Sequence, residues 1–102
     1  MPGDNPHKEL EWLPLAVDLS VNSTTVSSDP AILKAVYVNT TLSNHDCVIK
    51  DGTTAVFTLL KGSLQGDKYD FEETRFDTSL VVDPDDAMTG NITLMYKKLG
   101  FV

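Results

Sequence analysis

Apolar and polar residues alternate in short runs along most of this chain. From Leu15 to Val21 every second residue is apolar, which is the period of a β-strand with one buried face. Residues 31–39 are apolar at nearly every position apart from Lys34, as expected of a central strand that is covered on both sides. No window of a dozen residues keeps the apolar period of a helix without a Gly, Pro or Asp-Gly interruption. The pattern predicts an all-β protein.

Turn residues separate further short apolar runs. Residues 23–28 are rich in Thr and Val and predict a short edge strand that ends at Asp29-Pro30. Asp51-Gly52 lies between two apolar runs and predicts a hairpin with a type I′ turn, because Asp-Gly readily adopts the positive φ values that this turn requires. The remaining extended segments are predicted at residues 68–72, 75–77, 79–83 and 91–97. In the first of them the alternation predicts that Tyr69 and Phe71 lie on one face and the charged residues on the other.

Seven or eight short strands in 102 residues predict a single domain, a two-sheet β-sandwich of jelly-roll or Greek-key type. A small closed barrel is the alternative. Residues 1–30 are predicted to hold an extended N-terminal arm and the first strand or strands, and residues 31–102 the core of the sandwich. Two-sheet folds leave strand edges that need cover, and a symmetric oligomer is one way to provide it.

Composition narrows the classes of partner. Fifteen acidic and eight basic side chains give a formal charge of −7, which argues against a nucleic-acid partner because phosphate backbones require basic surfaces. No apolar run approaches the roughly 20 residues that cross a bilayer, so no membrane role is expected. The first eight residues are polar and rich in turn formers, without the apolar segment of a secretory signal. We expect a protein made in the cytoplasm.

Two groups of residues resemble metal sites. His45, Asp46 and Cys47 are adjacent, but neighbouring residues of a strand point to opposite faces and do not converge on one ion. Cys47, which precedes two apolar residues, is predicted to be a small buried residue rather than a nucleophile. An acidic cluster could hold Ca²⁺, yet it lacks the spacing of an EF-hand loop, and turn formation is the favoured explanation; it comprises Asp77, Asp83, Asp85 and Asp86.

A pair of catalytic carboxylates is the remaining enzymatic possibility. Asp70, Glu72 and Glu73 are close in sequence and could be imagined as the acid and base of a glycosidase. A charged strand edge explains them more simply. No phosphate-binding loop, nucleophile elbow or zinc-binding helix motif is present, so the sequence predicts no enzyme, no cofactor and no metal.

Several structural motifs resemble those of small virion proteins of tailed bacteriophages. They are a strand ending in Val38-Asn39-Thr40, the hairpin at Asp51-Gly52, the run from Phe76 to Leu80, and the run from Gly90 to Tyr96. The resemblance covers residues 31–97 and consists mainly of turns and core positions.

That resemblance implies a capsid cement or decoration protein on the outside of the virion head, bound to the major capsid protein and often trimeric. The expected partner-binding residues lie near the two ends of the chain: Trp12, Leu13, Leu15, Phe101 and Val102. They could equally close the ends of the domain's own core. Two alternatives remain, a structural module of the neck, tail or fibre and a carbohydrate-binding β-sandwich, although one Trp and three Tyr supply few aromatic platforms for sugars.

Overall fold

The computed structural model describes residues 12–99, and over this range the chain is all-β, as predicted. Within that range no helix is long and apolar enough to cross a membrane. The strands are β1 (Leu13–Asp18), β2 (Thr24–Ser27), β3 (Ala31–Thr40), β4 (Cys47–Asp51), β5 (Thr54–Leu59), β6 (Lys68–Phe76), β7 (Leu80–Pro84) and β8 (Asn91–Lys98).

These strands form two antiparallel four-stranded sheets that pack together as a β-sandwich. The first sheet has the order β1-β8-β3-β6 and the second the order β2-β7-β4-β5. Pairing is nested along the chain: β1 pairs with β8, β2 with β7, β3 with β6, and β4 with β5. The edges of the sandwich are therefore β1 and β6 in one sheet and β2 and β5 in the other.

Alternating side chains of both sheets meet in one core. Within β3, Leu33, Val36 and Val38 point inwards and are buried; within β8, Ile92, Leu94 and Tyr96 do the same. The largest fully buried side chain is Phe76, at the end of β6. The period read from the sequence thus identifies the residues that hold the two sheets together.

The first 30 residues contribute edge strands to both sheets. β1 and β2 belong to the sandwich itself, and residues 1–11, where an arm would have to lie, are outside the described range. β1 also ends earlier than the alternation predicts, because the Asp18 carboxylate accepts hydrogen bonds from the Ser20 backbone N–H and hydroxyl and turns the chain. The expectation that Val21 faces the core is wrong, since its side chain is exposed.

The predicted hairpin forms, but its turn type differs from the expected one. Asp51 is the last residue of β4 and pairs with Thr54, so the two turn residues are Gly52 and Thr53. Only Gly52 has a positive φ, of 64°, whereas a type I′ turn needs positive φ at both positions. A positive φ at the first turn position alone is the pattern of a type II′ turn.

A candidate binding cleft between two sheet edges

A cleft of about 280 Å³ lies where the edge strands β5 and β6 of the two sheets meet. Strand β5 supplies its apolar side, and β6 supplies both aromatic and acidic residues. The lining residues are Val56, Phe57, Tyr69, Asp70, Phe71, Glu72 and Thr74.

Three aromatic rings form the walls of the cleft. The Phe57 ring packs edge-to-face on Tyr69, with centroids 5.7 Å apart, and on Phe71, with centroids 5.4 Å apart. Phe57 lies opposite the buried Ile49, yet 41% of its surface is exposed; within residues 12–99 no strand pairs with the outer side of β5. The Tyr69 hydroxyl accepts the Leu60 N–H at 2.9 Å, which fixes the ring. These contacts hold the three rings in fixed positions around the cleft.

A strained bulge in β6 forms the rim. Thr74 pairs with Leu33 and Asp70 with Ala35, so three residues of β6 lie opposite one residue of β3. Two of the three, Glu72 and Glu73, have positive φ values of 51° and 61°. Such left-handed conformations cost a residue with a side chain about 1–2 kcal/mol each. Backbone strain of this kind concentrates at functional sites.

Hydrogen bonds within β6 hold the bulge in this conformation. The Asp70 carboxylate accepts the Glu72 N–H at 2.9 Å, and the Thr74 hydroxyl donates to the Phe71 carbonyl oxygen. These contacts oppose the backbone strain and keep Phe71 and Glu72 in the lining of the cleft. The bulge is thus an ordered part of the binding surface.

Replacing Glu73 with glycine is expected to raise the free energy of unfolding by about 1 kcal/mol, because glycine adopts positive φ without strain. The gain is smaller than the strain itself, since glycine also makes the unfolded chain more flexible. Urea unfolding of the purified variant measures the effect. Asp86→Gly is the control: Asp86 is exposed and has no positive φ, so this change should destabilise. A Glu73→Gly protein no more stable than the wild type would show that the bulge is not strained.

The acidic residues of the bulge carry unbalanced charge. Asp70, Glu72 and Glu73 are all exposed, and the ion pairs found among residues 12–99 involve other carboxylates. Their position on β6, an edge strand of the first sheet, confirms the prediction of a charged strand edge. The cleft therefore combines aromatic walls with a negative rim.

Large apolar side chains are exposed on β5 and in the connection that follows it. Val56 and Phe57 lie on β5, and Leu60 and Leu64 lie in the connection from β5 to β6, with exposed fractions between 41% and 69%. We call these four residues, together with the cleft, the β5–β6 edge. The alternation in residues 68–72 placed Tyr69 and Phe71 on one face. Phe57 could not be added, because the approach of β5 to β6 is a tertiary contact.

The residues predicted to bind a partner near the N-terminus lie elsewhere. Trp12 is half-buried, with the ammonium groups of Lys34 and Lys97 at 5.2 Å and 4.4 Å from its ring centre. Leu13 is exposed, whereas Leu15 is partly buried and packs against the core. None of the three lines the cleft.

The predicted residues near the C-terminus, Phe101 and Val102, lie outside the described range. Among the predicted residues that the structure describes, Leu15 lies at the margin of the core. The binding role of all five residues stays a prediction.

The residues considered for metal or nucleophilic chemistry have structural contacts. Cys47 is buried, as predicted, and burial, with a smaller contribution from the charge of Asp83, raises the pKa of its thiol to about 12. His45 Nδ1 lies 2.9 Å from the Ser43 hydroxyl, and Asp83 forms an ion pair with Lys50 at 2.6 Å. Within residues 12–99 no three His, Cys, Asp or Glu side chains are grouped as metal ligands.

Comparison with known proteins gives no relative for this chain. No family model, curated protein or solved structure matches it. The resemblance to bacteriophage virion proteins stays a prediction from sequence motifs, and the geometry of the β5–β6 edge is the physical basis for a functional proposal.

Proposed function

We propose that this protein is a structural virion protein, a capsid cement or decoration protein that binds the outside of the major capsid protein lattice and stabilises the head. The observation that carries the proposal is the β5–β6 edge, where Val56 and Phe57 are exposed in the lining of an aromatic cleft and Leu60 and Leu64 are exposed in the connection that follows β5. Clustered exposed apolar side chains mark surfaces that bind other proteins. Aromatic residues in preformed pockets supply much of the energy of such contacts.

The fold suits this role. The nested strand pairing is the order expected of a jelly roll, and we take the fold to be of that type. A sandwich closed by one continuous core presents its edges as rigid surfaces, so a contact made there costs little ordering entropy. A cement protein acts by burying surface across the joints between capsid subunits.

Charge and assembly complete the proposal. A net charge of −7 fits a place on the capsid exterior, away from the packaged nucleic acid.

We further propose that the protein, made in the host cytoplasm, is a homotrimer. Light scattering should give a mass of about 34 kDa, that of three 11.2-kDa chains. A monomer under the same conditions would contradict the trimer.

Binding to heads tests the main proposal. Heads assembled from the major capsid protein of the same virus should sediment together with the added protein, and should withstand a higher temperature before they disassemble. Phe57→Ser and Leu60→Ser should weaken this binding at least tenfold, because each removes an apolar anchor. Val21→Ser is the control, since Val21 is exposed in the β1–β2 loop and not on the β5–β6 edge. Heads that neither bind the protein nor gain heat resistance would contradict the proposal.

A carbohydrate-binding module is the second candidate, and the cleft is the observation that favours it. Sugar rings stack on aromatic faces such as those of Phe57 and Tyr69, and carboxylates such as Glu72 bind hydroxyl groups. A glycan array separates the two functions. Glycan binding that is lost in Phe57→Ser, together with no binding to heads, would assign the cleft to sugar.

A further inference from the structure

We infer that β5 accepts an extended segment of a partner protein as an additional strand, and that this segment places a basic side chain in the cleft beside β6. This deepens the proposed function, because it states how the partner is held and which chemistry it must present. The inference combines two independent features of the β5–β6 edge. One is a strand whose outer backbone groups are available for pairing, and the other is an aromatic cleft with carboxylates at its rim.

Strand β5 ends the second sheet, and within the described part of the chain no strand pairs with its outer side. Such an edge leaves backbone N–H and C=O groups available to another chain. The strand reads Thr54–Leu59, with no charged residue, proline or glycine among its six residues. Its β-branched and aromatic residues favour extended pairing.

The other three edges have features that block pairing. β1 contains Pro14, which lacks a backbone N–H. β2 is only four residues long and has an irregular register between Thr25 and Ser27. β6 carries five charged residues and the strained bulge. Natural sheets use these devices to prevent unwanted edge contacts. β5 lacks the proline, the short length and the charged residues, and it shares only a register shift with the blocked edges.

The one irregularity in β5 favours the cleft. The register of β4 with β5 shifts so that Phe57 pairs with Ile49 and Ala55 with Lys50. Val56 is therefore left without a partner on β4, and it lines the cleft. A strand added along β5 would pass directly over this position, so its side chains would reach the aromatic rings.

The acidic rim determines the chemistry of the incoming segment. Asp70 and Glu72 line the cleft together with the rings of Phe57, Tyr69 and Phe71, and a cation gains from both the carboxylates and the aromatic faces. An arginine or lysine is therefore the side chain that the cleft fits. Apolar residues on either side of it would cover Val56 and Leu60.

Charge also argues against a second copy of the chain as the occupant. Two β5 strands paired about a twofold axis would bring two acidic rims together on molecules that each carry a net charge of −7. Like charges placed across an interface oppose association. The partner strand therefore belongs to a different, locally basic protein.

Two probe peptides test the inference without any virion. One alternates threonine and valine around a single central arginine; the other has glutamate in place of that arginine. In NMR titrations of the full chain, the arginine peptide should shift the amide signals of β5 and of Tyr69–Glu73, with a dissociation constant below about 1 mM. The glutamate peptide should bind at least tenfold more weakly.

Matched lysine substitutions test the strand and its edge. Ala55→Lys places a positive charge on β5 and should abolish binding of the arginine peptide. Thr25→Lys places the same charge on β2, the opposite edge of the same sheet, and should leave binding unchanged. Glu72→Gln should reduce the preference for arginine over glutamate while leaving the fold intact, because Glu72 is exposed.

Three outcomes would overturn the inference: equal binding of the two peptides, signal shifts at another edge, or no binding at millimolar peptide. A neutral oligosaccharide that shifts the cleft signals when neither peptide does would assign the cleft to sugar instead. Binding to heads that persists in Ala55→Lys would leave the proposed function standing while refuting strand addition.

Discussion

Replacing Gly90 with alanine is expected to lower the free energy of unfolding by about 3 kcal/mol. Gly90 precedes β8 with φ at 128°, a conformation that side chains rarely adopt, and an added Cβ would lie 2.7 Å from Leu42 Cδ2 and 3.3 Å from Leu42 Cα. Leu42 is buried in the core and cannot move aside freely. Backbone strain and overpacking each contribute about 1–3 kcal/mol at such positions. Urea unfolding at pH 7 measures the loss.

Gly66→Ala separates strain from crowding. Gly66 also has a positive φ, of 94°, but an added Cβ would meet no atom within 4 Å. We expect this variant to lose only about 1 kcal/mol, from backbone strain alone. Equal losses in the two variants would show that contact with Leu42 is not what makes Gly90 necessary.

Much of the sandwich follows from local patterns in the sequence. Residues 31–39 predict a central strand, and β3 indeed lies between β8 and β6. The expected cover of its second face is not found in the described chain, where Lys34 and Tyr37 are exposed. The alternation in residues 91–97 likewise gives the buried positions of β8. A strand buried on one or both faces carries its own periodic signal, because its side chains alternate between core and surface.

The partners of the strands and the position of the cleft could not be predicted in this way. β1 pairs with β8, some 75 residues later in the chain, and no local pattern encodes such a contact. The alternation in residues 68–72 correctly predicts that Tyr69 and Phe71 share a face. The cleft exists only because β5 brings Phe57 against them, and sequence position does not indicate that.

The conformational preferences of single residues also fail to predict the positive φ values in the β6 bulge. Nothing in the residue types of Glu72 and Glu73 predicts positive φ, since glutamate disfavours it. Such disagreements between local preference and structure are expected at functional or strained sites. Here the disagreement falls on the rim of the cleft, which supports our proposal that the cleft binds a partner. A variant that relieves the strain would then gain stability and lose binding.

Asp51 is the second residue for which we expect a large effect, and its role differs from the turn position that the sequence suggested. Its carboxylate accepts backbone N–H groups of Asp77, Thr78 and Ser79 at 3.0, 2.8 and 3.3 Å. It thereby ties the β4–β5 hairpin to the loop between β6 and β7. Asp51→Ala should cost about 2 kcal/mol at pH 7, because hydrogen bonds to a charged acceptor are lost. Asp51→Asn should cost less, since one acceptor oxygen remains.

The pH dependence of that loss gives a sharper test. Burial tends to raise the pKa of Asp51, but the three N–H donors outweigh it and the pKa is lowered. A carboxyl group with a lower pKa in the folded state stabilises the fold above its unfolded pKa of about 3.9, and this stabilisation is lost as the pH falls through the folded value. The stability difference between wild type and Asp51→Ala should thus be constant from pH 7 to about pH 5 and shrink towards pH 2.

The control is Asp86→Asn, at an exposed position, which should differ in stability from wild type by less than about 0.5 kcal/mol at every pH. A difference for Asp51→Ala that persists unchanged at pH 2 would mean that the charge on the carboxylate is not what holds the loop.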